Sequence, residues 1–222
     1  MGKKELAEKE EFEKAVGLTD SFSSSLLAIL KLILGIILLP LVFGISKGFA
    51  IKIIRQPHYI RNNFIFAVGL YLVVHLFIYP PKILYDLGQR IVGNLFGFYV
   101  PLRRIMYHCL PSYAILFFVL FLIFKAMFGY NETIGYFMFL ISFSATMHLI
   151  ITSVYLKAES RSFIRGDYFL SLIIVYLLGI ILFCAFLSVM ARNFSFSYPI
   201  EYGYKFFTDT VSSIWRQFFV VR

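Results

Sequence analysis

The sequence predicts an all-α fold, a polytopic transmembrane bundle of about five helices with interfacial amphipathic helices. Three observations carry that prediction. Of the 222 residues, 60% are hydrophobic and only 15% are charged. That is too little polar surface to cover a soluble domain of this size, so lipid must solvate much of it. Aromatic residues reach 19%, which suits anchoring at membrane–water interfaces. Five apolar runs approach or exceed the roughly 20 residues that a helix needs to cross a bilayer. Their continuous apolar character excludes the alternation of barrel strands.

The chain divides into a hydrophilic segment over 1–22, a bundle over 23–192 and an amphipathic tail over 193–222. Six of the twelve acids lie in the first twenty residues. There Glu5–Lys9 and Glu10–Lys14 stand at i,i+4 spacing, which supports a solvated helix. Thr19-Asp20-Ser21 with Ser23–Ser25 reads as a break and cap before the first span. The segment is too hydrophilic for a signal peptide.

The first span is read over 26–45, with Lys31 near its start and Pro40 near its end. The second covers 64–79 and stops at Pro80-Pro81; the third, entered through Pro111, covers 113–128. The fourth covers 134–156 and the fifth 168–191. A cytoplasmic N-terminus places twelve Lys and Arg on the cytoplasmic side and nine on the other, so the expected orientation is N-in, C-out. Residues 47–62 run against it, because Lys47, Lys52, Arg55 and Arg61 then fall on the far side. A re-entrant hairpin at Pro40 and Gly44 would return that loop to the cytoplasm, and would flip every later loop.

Residues 82–110 form a long connector. Ile83, Leu84, Leu87, Ile91 and Leu95 recur there at helical spacing, opposite Lys82, Asp86 and Arg90, the pattern of a helix lying in the interface plane. In the tail, Phe207, Val211, Ile214, Trp215 and Phe218 make a second stripe, with Trp215 expected near head-group depth. Arg90, Arg103, Arg104, Trp215 and Arg216 are the candidate interfacial or partner-binding residues.

Polar groups inside the spans are the candidate functional residues. Ser144, His148 and Thr152 fall four apart on one face of the fourth span, with Ser142, Thr146 and Ser153 nearby, and His75 lies in the second span. If those spans pack together, His75 and His148 meet near mid-bilayer, where they would relay a proton or hold a polar substrate. The alternative is interhelical hydrogen bonding, at about 0.6 kcal/mol per bond. No intramembrane carboxylate accompanies the histidines, as one commonly does in proton relays. Lys31 and Lys125 stand near span ends, where they snorkel to the interface.

No HExxH, GxSxG or P-loop occurs, so no catalytic residue is assigned and the chain is read as non-enzymatic. Cys109 and Cys184 belong to no CxxC or Cys/His ligand pattern. His108-Cys109 offers two metal ligands without partners, so neither metal nor cofactor is expected. The net charge is +9, but no soluble basic face exists to bind nucleic acid; the cations sit in short loops, beside anionic head groups. Asn131-Glu132-Thr133 and Asn193-Phe194-Ser195 fit the N-glycosylation pattern.

The second connector runs Leu87-Gly88, Gly93-Asn94-Leu95-Phe96-Gly97, Leu102-Arg103-Arg104, then Leu110-Pro111-Ser112-Tyr113. With five clustered spans and a hydrophilic N-terminus, this region resembles the Yip1-like superfamily of five-pass membrane proteins. The likeness covers the pattern of residues 80–190 and carries no functional residue across. It implies a non-enzymatic protein that works through partners. The expected function is a non-catalytic integral membrane subunit or scaffold in lipid handling, envelope transport or trafficking. Its expected partners are membrane lipids and a membrane protein or a second copy of the chain. The expected setting is a bacterial inner membrane or a eukaryotic endomembrane. The alternative is a small transporter or channel subunit that uses the seam between spans two and four.

Overall fold

The computed structural model describes residues 3–77, 82–95, 109–128, 133–159 and 166–219, which form helices and no strand. The helices are α1 (Lys3–Ile54), α2 (His58–Phe77), α3 (Lys82–Leu95), α4 (Ser112–Phe128), α5 (Ile134–Glu159), α6 (Gly166–Met190) and α7 (Ser197–Phe219). Four stretches are long and apolar enough to cross a membrane: Leu26–Ile54, His58–Phe77, Ile134–Ala158 and Tyr168–Met190. The helix α4 is strongly apolar but only 17 residues long, about 26 Å at the α-helical rise and at the lower limit for a crossing.

Side-chain contacts fix the helix directions. Phe66 meets Phe139 and Tyr71 meets Phe143, so α2 and α5 run parallel. Gly35 lies against Phe169 and Phe49 against Phe183, so α1 and α6 also run parallel. A short turn makes α1 and α2 antiparallel. Pro57 forms it, its carbonyl accepting the amides of Ile60 and Arg61 at 3.0 and 3.1 Å. Phe121 and Phe124 fold back on Phe137, which pairs α4 with α5. The five apolar helices therefore alternate in direction along the chain.

The first span departs from expectation in three ways. The helix α1 is continuous from Lys3 to Ile54, so residues 3–22 share one helix with the first span. The Thr19–Ser25 stretch, expected as a break, is helical, while Pro40 and Gly44 sit within the continuous helix as the spanning reading expects. The apolar stretch also runs on to Ile54 instead of ending at 45. Pro40 removes one ladder donor, a loss that helices in lipid tolerate because their remaining backbone bonds have no water to compete with. The second span likewise begins earlier than expected, at His58.

Aromatic packing fills the interior. Phe118 stacks on Phe186 at 4.3 Å, and Phe49 meets Phe64, Phe183 and Phe194 edge-on. Leu26, Ile29, Leu30, Ile33 and Ile36 stay exposed on α1, the outward apolar face that lipid solvates.

The tail is more than a surface stripe. The first half of α7 packs antiparallel on α1, with Gly44 beneath Gly203 and Phe206, and Gly48 beneath Pro199 and Tyr202. A Cβ at Gly44 would stand 2.9 Å from the Gly203 Cα, and one at Gly48 would stand 3.0 Å from the Pro199 Cα. This is the close backbone approach that small residues spaced four apart permit in lipid. Pro199 is tolerated because it lies in the first turn of α7, where amides have no ladder partner. From Val211 to Phe219 every residue is exposed, including Arg216 and Trp215, which stacks on Phe219 at 4.1 Å.

Candidate functional site

The polar residues gather where α3 meets α5. Gly88 lets α3 approach the start of α4, since a Cβ there would lie 2.5 Å from Ser112 Oγ and 2.7 Å from the Tyr113 ring. This seats Tyr85 and Gln89, four residues apart, against α5; they are 2% and 0% exposed. The Tyr85 hydroxyl pairs with Thr152 Oγ1 at 2.6 Å, and its ring stacks on His148 and Tyr155. The Tyr155 hydroxyl donates to Asp86 at 2.9 Å. Gln89 Nε2 donates to the Leu110 carbonyl at 3.4 Å and to His148 Nδ1 at 3.2 Å. Because the amide is the donor there, His148 Nδ1 must accept, which puts the proton of the neutral ring on Nε2.

The contacts fix which way the connector helix faces. Leu87 and Ile91 of the apolar stripe are 53% and 54% exposed, so these two residues face away from the bundle. Gln89 is buried against α5, and Asp86, half-buried, accepts from Tyr155. In lipid the apolar stripe is the solvated face, while polar groups find their partners inside the protein.

The expected meeting of His75 and His148 is replaced by other pairings. His148 goes to Gln89 and Tyr85, whereas His75 stacks on Tyr71 of its own helix at 6.1 Å. Ser144 leaves the seam altogether, its hydroxyl donating back to the Ile141 carbonyl at 3.1 Å. Ser142, Thr146 and Ser153 likewise bond within α5. Of the expected seam, Thr152 and His148 bond across helices. Among the described residues, three buried polar atoms have no hydrogen-bond partner: Tyr71 Oη, His75 Nδ1 and Gln89 Oε1.

Beside this cluster, and sharing His148 with it, lies a cavity of about 270 Å³ between α1, α2, α5 and α6. Its wall is mostly apolar, from Phe49 of α1, Phe64 and Val68 of α2, Ala145 and Leu149 of α5, and Ile180 and Phe183 of α6. The hydroxyls in the wall are already satisfied. Ser46 donates to the Val42 carbonyl at 2.6 Å, so its 2.7 Å contact with Tyr176 is donated by the tyrosine. Ser142 and Thr146 are spent on their own helix. The wall thus asks for an apolar occupant.

The other candidate residues stand apart. Arg90 is exposed on α3, and Trp215 and Arg216 are exposed on the free half of α7. Arg103, Arg104, His108 and Asn131 lie outside the described residues, and Asn193 is exposed in the turn after α6. Lys125 lies over the Phe121 ring at 5.8 Å. Cys109 is buried, which pushes its thiol above the usual range. Among the described residues no three His, Cys, Asp or Glu side chains gather.

Sequence reasoning missed Tyr85 and Gln89, although their i,i+4 spacing marks one face of α3. It also missed Ser46 and Tyr176, whose pairing depends on the parallel run of α1 and α6. The Gly44/Gly48 and Pro199/Gly203 spacings were a readable signal for the docking of α7. The chain matches no family model, no curated protein and no solved structure.

Proposed function

We propose that this chain is a non-catalytic membrane subunit that handles lipid by holding one apolar chain inside its bundle. The observation that carries the reading is the mostly apolar cavity of about 270 Å³ whose hydroxyls are already hydrogen-bonded. Such a wall rewards burial of methylene groups and offers no hydroxyl in need of a partner. Its volume is close to the lower end of ordinary small-molecule sites, enough for part of one lipid tail. A membrane setting with the N-terminus cytoplasmic would put α3 and its seam on the cytoplasmic side. The exposed half of α7, with Trp215 and Arg216, and Arg90 on α3 are then offered to a partner membrane protein or a second copy. Such partner-based work agrees with the Yip1-like pattern.

The test is native mass spectrometry of the full chain released from a mild detergent micelle. The wild type should retain one lipid per chain, and Ala145→Phe, which fills the cavity, should lose most of it while melting at a similar temperature. A wild type without lipid, or an Ala145→Phe variant that retains it equally, would overturn the reading.

A second reading, a small transporter or channel subunit, draws on the unpartnered Tyr71 Oη, His75 Nδ1 and Gln89 Oε1. Unmet hydrogen-bonding capacity inside a bundle is what a polar solute would exploit. Replacing His75 and His148 with leucine would then abolish flux in proteoliposomes while leaving the fold intact. Unchanged flux per folded molecule would exclude it.

A further inference from the structure

Four cations cluster at the end of the bundle where α1 turns into α2: Lys47, Lys52, Arg55 and Arg61. They are the residues that oppose the positive-inside rule in an N-in orientation, where topology would give no reason for them. None is paired with a carboxylate among the described residues. Lys47 and Lys52 lie over the rings of Tyr202 and Tyr198, at 6.0 and 4.4 Å, and Arg61 donates to His58 Nδ1 at 2.7 Å. Glu201, exposed nearby on α7, makes no ion pair with them.

Their register relates them to the cavity. Arg61 precedes Phe64 by three residues and Val68 by seven, which puts all three on one face of α2. Lys52 follows Phe49 by three residues on α1 and so stands about one helical turn beyond the cavity wall. Cations thus stand one turn above an apolar space, between helices that face lipid. A phosphate there would receive charge-assisted hydrogen bonds, with the guanidinium fork matching its oxygens. The rings of Tyr198 and Tyr202 are of the type found at head-group depth.

We infer that the occupant of the cavity is a tail of an anionic phospholipid, and that Arg61 and Lys52 hold its phosphate-bearing head group. The inference rests on the lipid-holding reading and adds the lipid class. It also gives the basic turn a ligand-binding role in place of a topological one.

The test compares phosphatidylglycerol with phosphatidylcholine of the same chains, added to delipidated full-length protein and read by native mass spectrometry and thermal shift. The wild type should prefer phosphatidylglycerol by about tenfold or more, since each cation contributes to attraction of an anionic head group. Arg61→Gln and Lys52→Gln should each lower that preference about fivefold and leave phosphatidylcholine retention unchanged, and Arg61→Lys should restore part of it. Equal retention of the two lipids by the wild type would overturn the inference and leave the cavity reading standing. Retention of neither would overturn both. Inorganic phosphate alone should give no thermal shift, and a shift matching that of phosphatidylglycerol would assign the cluster to a free phosphate instead.

Discussion

Two amphipathic helices dock on the bundle by opposite means. The helix α7 lies on α1 through glycines, with Gly44 and Gly48 against Pro199 and Gly203 and backbones nearly touching. The helix α3 lies on α5 through side chains, with Tyr85 on Thr152, Gln89 on His148 and Asp86 on Tyr155. Water drives neither docking, because apolar surface gains little when it leaves lipid tails for protein. What remains is close packing in one seam and polar pairing in the other. Close packing is rigid, and a single atom in the wrong place defeats it. Polar pairing is individually weak and more tolerant.

The glycine seam should therefore break hardest. Gly203 abuts Ile45 so closely that Gly203→Leu has no room; it should cost about 3 kcal/mol, as overpacked cores do. Thermal unfolding would read the loss, and trypsin should then cut faster at Lys205 and Arg216. Gly69 is the control. Nothing lies within 4 Å of a Cβ there, so Gly69→Ala should be neutral or stabilise by up to about 1 kcal/mol.

The polar seam should respond more gently. Thr152→Val leaves the Tyr85 hydroxyl without this partner and should cost about 1 kcal/mol. A double-mutant cycle with Tyr85→Phe should give a coupling of about 0.6 kcal/mol, and zero coupling would mean the 2.6 Å contact does not hold the seam. Gln89→Met should be milder still, within about 0.5 kcal/mol, because it removes an oxygen that has no partner along with the weak bonds of the amide. The smallest effect is kinetic. Cys109 adjoins the Leu110 carbonyl that Gln89 holds, and its buried, raised thiol should react with maleimide at least about tenfold more slowly than an exposed cysteine. Gly88→Val, which wedges α3 from α4, should speed that reaction if the seam is what shields it.

The same contrast explains how much the sequence reveals. Apolar length alone locates α5 and α6 within a few residues, because lipid demands a continuous apolar run whatever the packing. The stripe of α3 is equally legible, but its direction is not. An apolar stripe points to the core in water and can point away from it in lipid, so Leu87 and Ile91 face outward while Gln89 turns in. Pro40 lies inside the first span as read, near its end, and the helix runs on past it to Ile54 because lipid relaxes the rules of soluble helices. The candidate site was half visible. His148 and Thr152 could be picked out as intramembrane polar groups, but their partners Gln89 and Tyr85 sit in a connector, and no periodicity says which helix it will meet.

The central claim is that a lipid tail lies between α1, α2, α5 and α6, and photolabelling addresses it directly. A phospholipid with a diazirine in its tail, irradiated with the full chain in vesicles, would be mapped by peptide sequencing. Saturable labelling at Phe49, Ala145, Leu149 and Ile180, lost in Ala145→Phe, is the result expected. Labelling confined to the outward residues Ile29, Ile33 and Ile36 and unaffected by that substitution would contradict it.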